Sequence, residues 1–411
     1  MKKTLLSALF LSILMTACTS EKPFELKKGP WRGVIETQGL EVPFNFDVNE
    51  VNGTYSVTLK NADEDLVLDE LRREGDSLIM VMHIFDSELR AVASGDSLKG
   101  YFIKNYEKNY RLPFRAAAGQ TFRFEGADEN PTVDFTGTYT SILSNDEETT
   151  PAVAILNQSG NRVTGTFLTT TGDYRYLEGN VSGGKLNLSV LDGNHVFLFT
   201  AIKNSPDSIV GEYRSGKKWK QVWKGKLDPN AALPDANSLT LLKPGIETFD
   251  FSFPDANNKT VSGKDDVFKN KVVIIQILGT WCPNCMDETK FLAGWYPKNK
   301  SRGVEVVGLA FEAKDDFAYA SERVNKMTAR LKVEYPVLIA GNKDKKKAAE
   351  SLPMLQQVVA FPTMVFVGKD GKVKKIHTGF NGPGTGVHYE RFREEFNTTI
   401  TELLKEEVAG N

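Results

Sequence analysis

The stretch Lys271-Val272-Val273-Ile274-Ile275-Gln276-Ile277-Leu278-Gly279-Thr280-Trp281-Cys282-Pro283-Asn284-Cys285 decides how the second half of this chain is built. Residues 271–278 hold a near-continuous run of β-branched side chains, the pattern of a strand buried on both faces of a sheet. Pro283 follows Cys282 directly, and a helix tolerates proline well at its first position, where the missing N–H has no intrahelical partner anyway. The stretch therefore reads as buried strand, short turn and helix, the helix running from the cysteine motif toward Trp295. Cys282 then occupies a helix N-terminus, where unpaired N–H groups and the macrodipole favour a thiolate. The thiolate is the nucleophile of thiol–disulfide exchange. Cys285, one turn later on the same side, is placed to attack and resolve a mixed disulfide.

Zinc sites use the same cysteine spacing, so the pair alone is ambiguous. Zinc normally needs four ligands, however, and the scattered His83, His195, His377 and His388 supply no ligand spacing to complete a shell. No metal and no cofactor is expected, and the redox group is the Cys282–Cys285 pair itself. A purely structural disulfide is disfavoured, because a loop of three positions restrains the unfolded chain very little.

Working outward, residues 304–311 read as a second buried strand and 315–331 as a helix. Residues 363–367 and 373–377 form a hairpin across Gly368-Lys369-Asp370-Gly371, and 389–407 close the chain as an amphipathic helix. Strands alternating with helices give an α/β layer fold. From about Pro244 onward the chain resembles the TlpA/ResA-like branch of the thioredoxin superfamily. The residues carrying the resemblance are Gly279 to Cys285, Phe361-Pro362-Thr363 and Gly368-Lys369-Asp370-Gly371-Lys372. It implies a thioredoxin-like domain over 244–411 and protein disulfide oxidoreductase activity. It also implies that Pro362 is a cis-proline facing the cysteines, with Trp281, Pro283, Asn284, Phe361 and Thr363 supporting the site. In cytoplasmic thioredoxins a buried acid lies six residues before the first cysteine; here Gln276 stands there. An amide cannot accept a proton as a carboxylate does, so that role is missing or moved. Glu288 matches an active-site glutamate of the membrane-anchored reductase branch. It would tune thiol titration through charge and burial, or else be a solvated helix residue. Pro283-Asn284 matches neither the Gly-Pro of thioredoxin nor the Pro-His of strong oxidants, whose potentials differ by about 150 mV. The resemblance favours a reductase.

The first half reads differently. Between Pro30 and Asp228 the signal is period-two alternation, as in Tyr55, Val57 and Leu59, broken by turns such as Asn52-Gly53 and Gly183-Gly184. Four glycine–aromatic signatures recur in the same order, pairing Trp31 with Tyr139 and Tyr101 with Tyr213 among others. This predicts two diverged antiparallel units, barrel or sandwich, over 29–127 and 132–228. A segment rich in proline, asparagine and aspartate, 229–243, reads as the linker between them and the α/β domain.

The chain opens with Lys2-Lys3, an apolar run to Met15 and Thr16-Ala17-Cys18, the layout of an export signal. Leu14 to Cys18 resembles the bacterial lipoprotein signal, although Met15 stands where leucine is usual. On this reading residues 1–17 are removed, Cys18 is lipidated and 18–28 form a tether. Only two of the three cysteines then remain as thiols, and they sit three positions apart. The protein is expected in the bacterial cell envelope, facing the periplasm or the outer surface and held to a membrane by its lipid. Expected partners are exported client proteins bearing thiols or disulfides and a membrane electron donor. A net charge of -2 offers no basic face for nucleic acid. Two other functions compete with this reading. A thiol peroxidase of the peroxiredoxin kind would look like P-x-x-x-T-x-x-C with one peroxidatic cysteine, which this site lacks. A surface ligand-binding β module with an accessory redox domain finds no catalytic constellation in 29–228, whose expected part is to position the redox domain or dock its clients.

Overall fold

Alternation becomes curvature in the first half. In the computed structural model, which describes residues 26–126 and 130–407, nine strands from Gly29–Thr37 to Arg111–Ala118 form an antiparallel meander. Its first strand pairs with both the second and the last. The ring stops between Glu64–Leu68 and Leu71–Glu74, so this barrel is nearly closed. A second set of nine strands, Gly137–Ser144 to Trp219–Leu227, closes fully, because Thr149–Ser159 also pairs with Arg162–Thr169. Inward positions are filled by aromatics. Trp31, Phe44, Phe46 and Phe114 stack in the first barrel, and Phe167, Phe199, Tyr213 and Trp223 pack in the second.

The two barrels repeat particular contacts. The Trp31 indole N–H donates to the Lys27 carbonyl at 2.8 Å, and the Tyr139 hydroxyl donates to the Phe135 carbonyl at 3.0 Å, each four residues upstream. A β-carbon at Gly100 would lie 1.9 Å from the Arg90 carbonyl oxygen, and one at Gly211 would lie 2.0 Å from that of Thr200. Aligning these glycines matches Tyr213 with buried Phe102, one place from the expected Tyr101, which is 44% exposed and points outward.

Residues 229–243 are no loose spacer. Thr240 is buried and accepts a 2.8 Å hydrogen bond from Thr378, while the Lys243 N–H donates to the Met354 carbonyl at 2.8 Å. The segment is laid along the α/β domain. There a five-stranded sheet runs in the order Val337–Asn342, Val304–Glu312, Val272–Leu278, Thr363–Val367, Val373–Thr378. The first three strands are parallel and the last two antiparallel to their neighbours. Four helices accompany it: α1 (Pro283–Asn299), α2 (Phe317–Leu331), α3 (Lys345–Ser351) and α4 (Val387–Lys405). Helix α2 begins later than its sequence pattern because the Asp316 side chain caps it by accepting from the Tyr319 N–H. Strand Val337–Asn342 and helix α3 were not expected. Six and seven residues are too few for a period to declare itself.

The three bodies share surfaces. The core of the first barrel runs on into that of the α/β domain, and the second barrel keeps an aromatic core of its own. Lys326–Glu70 at 2.7 Å, Arg330–Asp69 and the Tyr319 hydroxyl on Asp86 at 3.0 Å join α2 to the first barrel. Buried Arg123 ties the barrels together through the Lys60 carbonyl, Asn61, Ser189 and Glu178. Among the described residues no helix is long and apolar enough to cross a membrane. Cys18 and the export signal lie outside the described residues.

Candidate active site

The central strand Val272–Leu278 is buried along its whole length and delivers the chain to the sheet's edge at Gly279. A tight turn follows, pinned by two groups of the next strand. The Glu312 carboxylate accepts from the Thr280 N–H at 2.9 Å and its hydroxyl at 2.6 Å, and the Phe311 carbonyl accepts from the Trp281 indole at 2.9 Å. A β-carbon at Gly279 would meet that indole nitrogen at 2.2 Å, so only glycine lets Trp281 fold back. Cys282 then becomes the N-cap of α1, its sulfur accepting the Cys285 N–H at 3.2 Å, with Pro283 in the first turn.

Opposite stands the loop before strand Thr363–Val367. The Phe361–Pro362 peptide is cis, and the Cys282 thiol donates to the Phe361 carbonyl at 3.4 Å. Phe361 meets Trp281 edge to face at 5.7 Å, while Thr363 is buried and bonds the Ala360 carbonyl at 2.8 Å. Cys282 retains 6% exposure and Cys285 none, so the first thiol is the one a substrate can reach. Both are free thiols. Burial pushes the Cys285 thiol well up, its hydrogen bond and proximity to Cys282 add to this, and the Glu288 carboxylate pushes the same way.

Behind the pair, Glu288 is wholly buried, which raises its carboxyl to about 8 against the opposing pull of a hydrogen bond from Gln276. That bond, from the Gln276 amide to one carboxyl oxygen, is 2.8 Å, and the other oxygen has no protein partner. The Gln276 carbonyl in turn accepts from Tyr335 and Thr289, each at 3.3 Å. The position that carries an acid in cytoplasmic thioredoxins thus holds an amide in direct contact with an acid on α1. Of the two sequence alternatives for Glu288, the solvated one is excluded by its burial.

Sequence reasoning missed the contribution of the second barrel. The Asn284 amide donates to the Asp173 carbonyl at 3.0 Å, and Arg175 donates to the Pro283 carbonyl at 3.1 Å. Arg175 is 2% exposed and also pairs with Asp287 of α1 and Glu64 of the first barrel. The Asp173 carboxyl accepts the Gly382 N–H at 2.6 Å, and burial raises it to about 6 against that bond. The partners on the α/β side include the glycine-rich run Gly379 to Gly386, a visible turn signal with no assigned part. A cavity of about 240 Å³ lies between Cys282 and the second barrel, with Tyr174, His195 and Phe197 on the far side.

Residues 233–390 match the family model described as Redoxin. The chain is 31% identical over 129 residues to thiol-disulfide oxidoreductase ResA of Bacillus thuringiensis subsp. konkukian (strain 97-27), covering 31% of this chain and 66% of that protein. It is 27% identical over 138 residues to ResA of Bacillus subtilis (strain 168), covering 34% and 69%. The chain thus spans about two thirds of the length of these curated relatives. A thiol:disulfide interchange protein of the thioredoxin family from Chlorobium tepidum TLS aligns at 19% identity over 38% of this chain and 95% of its own, with a TM-score of 0.30. Residues 233–390 therefore carry a Redoxin-type domain, and the C-terminal part of the chain is similar in sequence to ResA-type thiol–disulfide oxidoreductases.

Proposed function

We propose that the chain is a membrane-anchored thiol–disulfide oxidoreductase of the bacterial cell envelope that works in the reducing direction on exported thiol and disulfide partners. The observation that carries this reading is the placement of Cys282. Its sulfur lies between the first turn of α1 and the Phe361 carbonyl, with Cys285 one turn behind. In the reducing half-reaction the Cys282 thiolate attacks one sulfur of a substrate disulfide. The substrate S–S bond breaks, and the released thiolate takes up a proton. Cys285 then gives up its proton and attacks the Cys282 sulfur, freeing the second substrate thiol. The pair ends as a disulfide, oxidised by two electrons. A membrane electron donor returns it to the dithiol.

Trp281, Pro283, Asn284, Phe361, Pro362 and Thr363 hold this geometry. Glu288 takes over the proton handling that Gln276 cannot perform, since it lies behind Cys285 and is raised by burial into the range where protons exchange near neutrality. The lipid on Cys18 keeps the protein at the membrane that houses the donor.

Equilibrating the chain in dithiothreitol and glutathione buffers tests the reading. A reversible two-electron transition near the thioredoxin value of about −270 mV is expected. A potential near about −120 mV, the DsbA value, would overturn the reducing direction. No reversible transition at all would overturn the oxidoreductase reading. Glu288→Gln followed by thiol titration tests the glutamate, and an unchanged curve removes it from the mechanism.

A further inference from the structure

The wall facing Cys282 across the cavity belongs to the second barrel, a body the redox chemistry does not itself require. We propose that this composite pocket selects a low-molecular-weight, bis-amino-acid disulfide of the cystine kind and shuts out disulfides on the face of a folded protein. The inference rests on the oxidoreductase reading above and names its substrate class.

The ground a folded partner would cover is already taken. The Pro283 carbonyl is bonded to Arg175, and the Asn284 side chain is bonded to the Asp173 carbonyl. The approach is so close that a β-carbon at Gly172 would lie 2.2 Å from the Asn284 amide nitrogen. Nor is this cover easily lifted. Arg175 and its partners Asp287 and Glu64 are 2%, 7% and 9% exposed, and separating a buried ion pair strands its charges away from water. What stays open is the cavity of about 240 Å³. Sites for drug-sized ligands run from about 300 to 1,000 Å³, so this one suits something smaller.

Its lining has the character of such a molecule. Trp281 and Phe361 on one side and Tyr174 and Phe197 on the other offer apolar surface to a CH₂–S–S–CH₂ centre. Lys345 supplies a donor for a carboxylate end, and with its Nδ1 donating to Asp192 the other ring nitrogen of His195 is left to accept from an amino end. His195 is held in place, its Nδ1 being 2.9 Å from an Asp192 carboxylate oxygen and its ring stacked on Phe197 at 4.8 Å. In the reaction the Cys282 thiolate bonds to one sulfur and the disulfide bond breaks. The first small thiol leaves with a proton, Cys285 displaces the second, and the protein pair carries the two electrons' worth of oxidation. One turnover needs no other reductant.

The test uses the full chain, reduced beforehand, in single-turnover reactions with cystine and with folded insulin. Each rate is divided by that of dithiothreitol with the same disulfide. A normalised preference for cystine of at least about ten-fold is expected. His195→Trp, which fills the cavity, is expected to slow cystine about ten-fold while leaving the potential in dithiothreitol buffers unmoved. Insulin reacting as fast as cystine overturns the proposal, and so does a tryptophan variant with the wild-type cystine rate. Should that variant fail to fold, the wild-type preference decides alone. A pair that does not cycle in dithiothreitol buffers instead defeats the oxidoreductase reading, so the two failures are distinguishable.

Discussion

At the scale of single residues, Glu288 carries a pH dependence that can be measured. Its carboxyl sits at about 8 in the folded chain against an ordinary 4.5, because burial penalises the anion. The folded state therefore holds this proton more tightly than the unfolded chain. The resulting stability is fully present below about 4.5 and is lost as pH rises through about 8. Glu288→Gln keeps the contact with Gln276 and removes the titration. Relative to the native protein, the variant should lose the decline in stability between those limits, an effect on the order of 2–5 kcal/mol at pH 9. Urea unfolding at pH 5 and pH 9 measures it, and an equal decline in both proteins would refute the assignment. The same substitution should lower the pH at which Cys285 titrates, since a nearby carboxylate is among the groups holding that thiol up.

Among elements, the strand–turn–helix around the cysteines was legible because every local signal agreed. These signals were a β-branched run, a glycine that permits the Trp281 turn, and a proline in the first turn of α1. The barrels were legible as alternation but not as closed rings, since closure depends on a pairing such as Thr149–Ser159 with Arg162–Thr169 that no periodicity encodes. Arg175 was illegible for a stronger reason. In Asp173-Tyr174-Arg175-Tyr176 it looks like a solvated loop cation, and only the meeting of three bodies buries it. Closure has its own testable residues. Gly100 and Gly211 sit where a neighbouring strand's carbonyl leaves no space for a β-carbon. Alanine at either should force the strands apart and cost about 1–3 kcal/mol, as overpacking against backbone does. Lying in separate barrels, the two losses should add in the double variant. Urea midpoints test this, and a Gly211→Ala protein as stable as the native one would show that the strands yield freely.

On the scale of the whole molecule, the interdomain lock bears on how the site works, and the proposed lipid would bear on where it works. If Cys18 is lipidated, the reach from membrane to first barrel is at most about 29 Å at 3.3–3.6 Å per residue, because Leu26 is already buried in the barrel core and Lys27 is bonded to Trp31. Cys18→Ser should then abolish fatty-acid labelling and move the protein from the membrane fraction to the soluble one; retained labelling would exclude that site. The lock is Arg175, a guanidinium joining Glu64 of the first barrel, Asp287 of α1 and the carbonyl between the two cysteines. Arg175→Met leaves buried Glu64 without its cation and Asp287 with only Lys290 at 3.8 Å, and breaking a buried pair from one side typically costs about 3–5 kcal/mol. Much of that cost is the stranded charge rather than the lost contact. Adding Glu64→Gln and Asp287→Asn to Arg175→Met should therefore recover a large part of the stability. The redox potential separates the lock's two roles. If Arg175 also fixes the Pro283 carbonyl, the triple variant regains stability while its potential stays displaced from the native value. A potential that returns along with stability would assign Arg175 to holding the bodies together and to nothing at the cysteines.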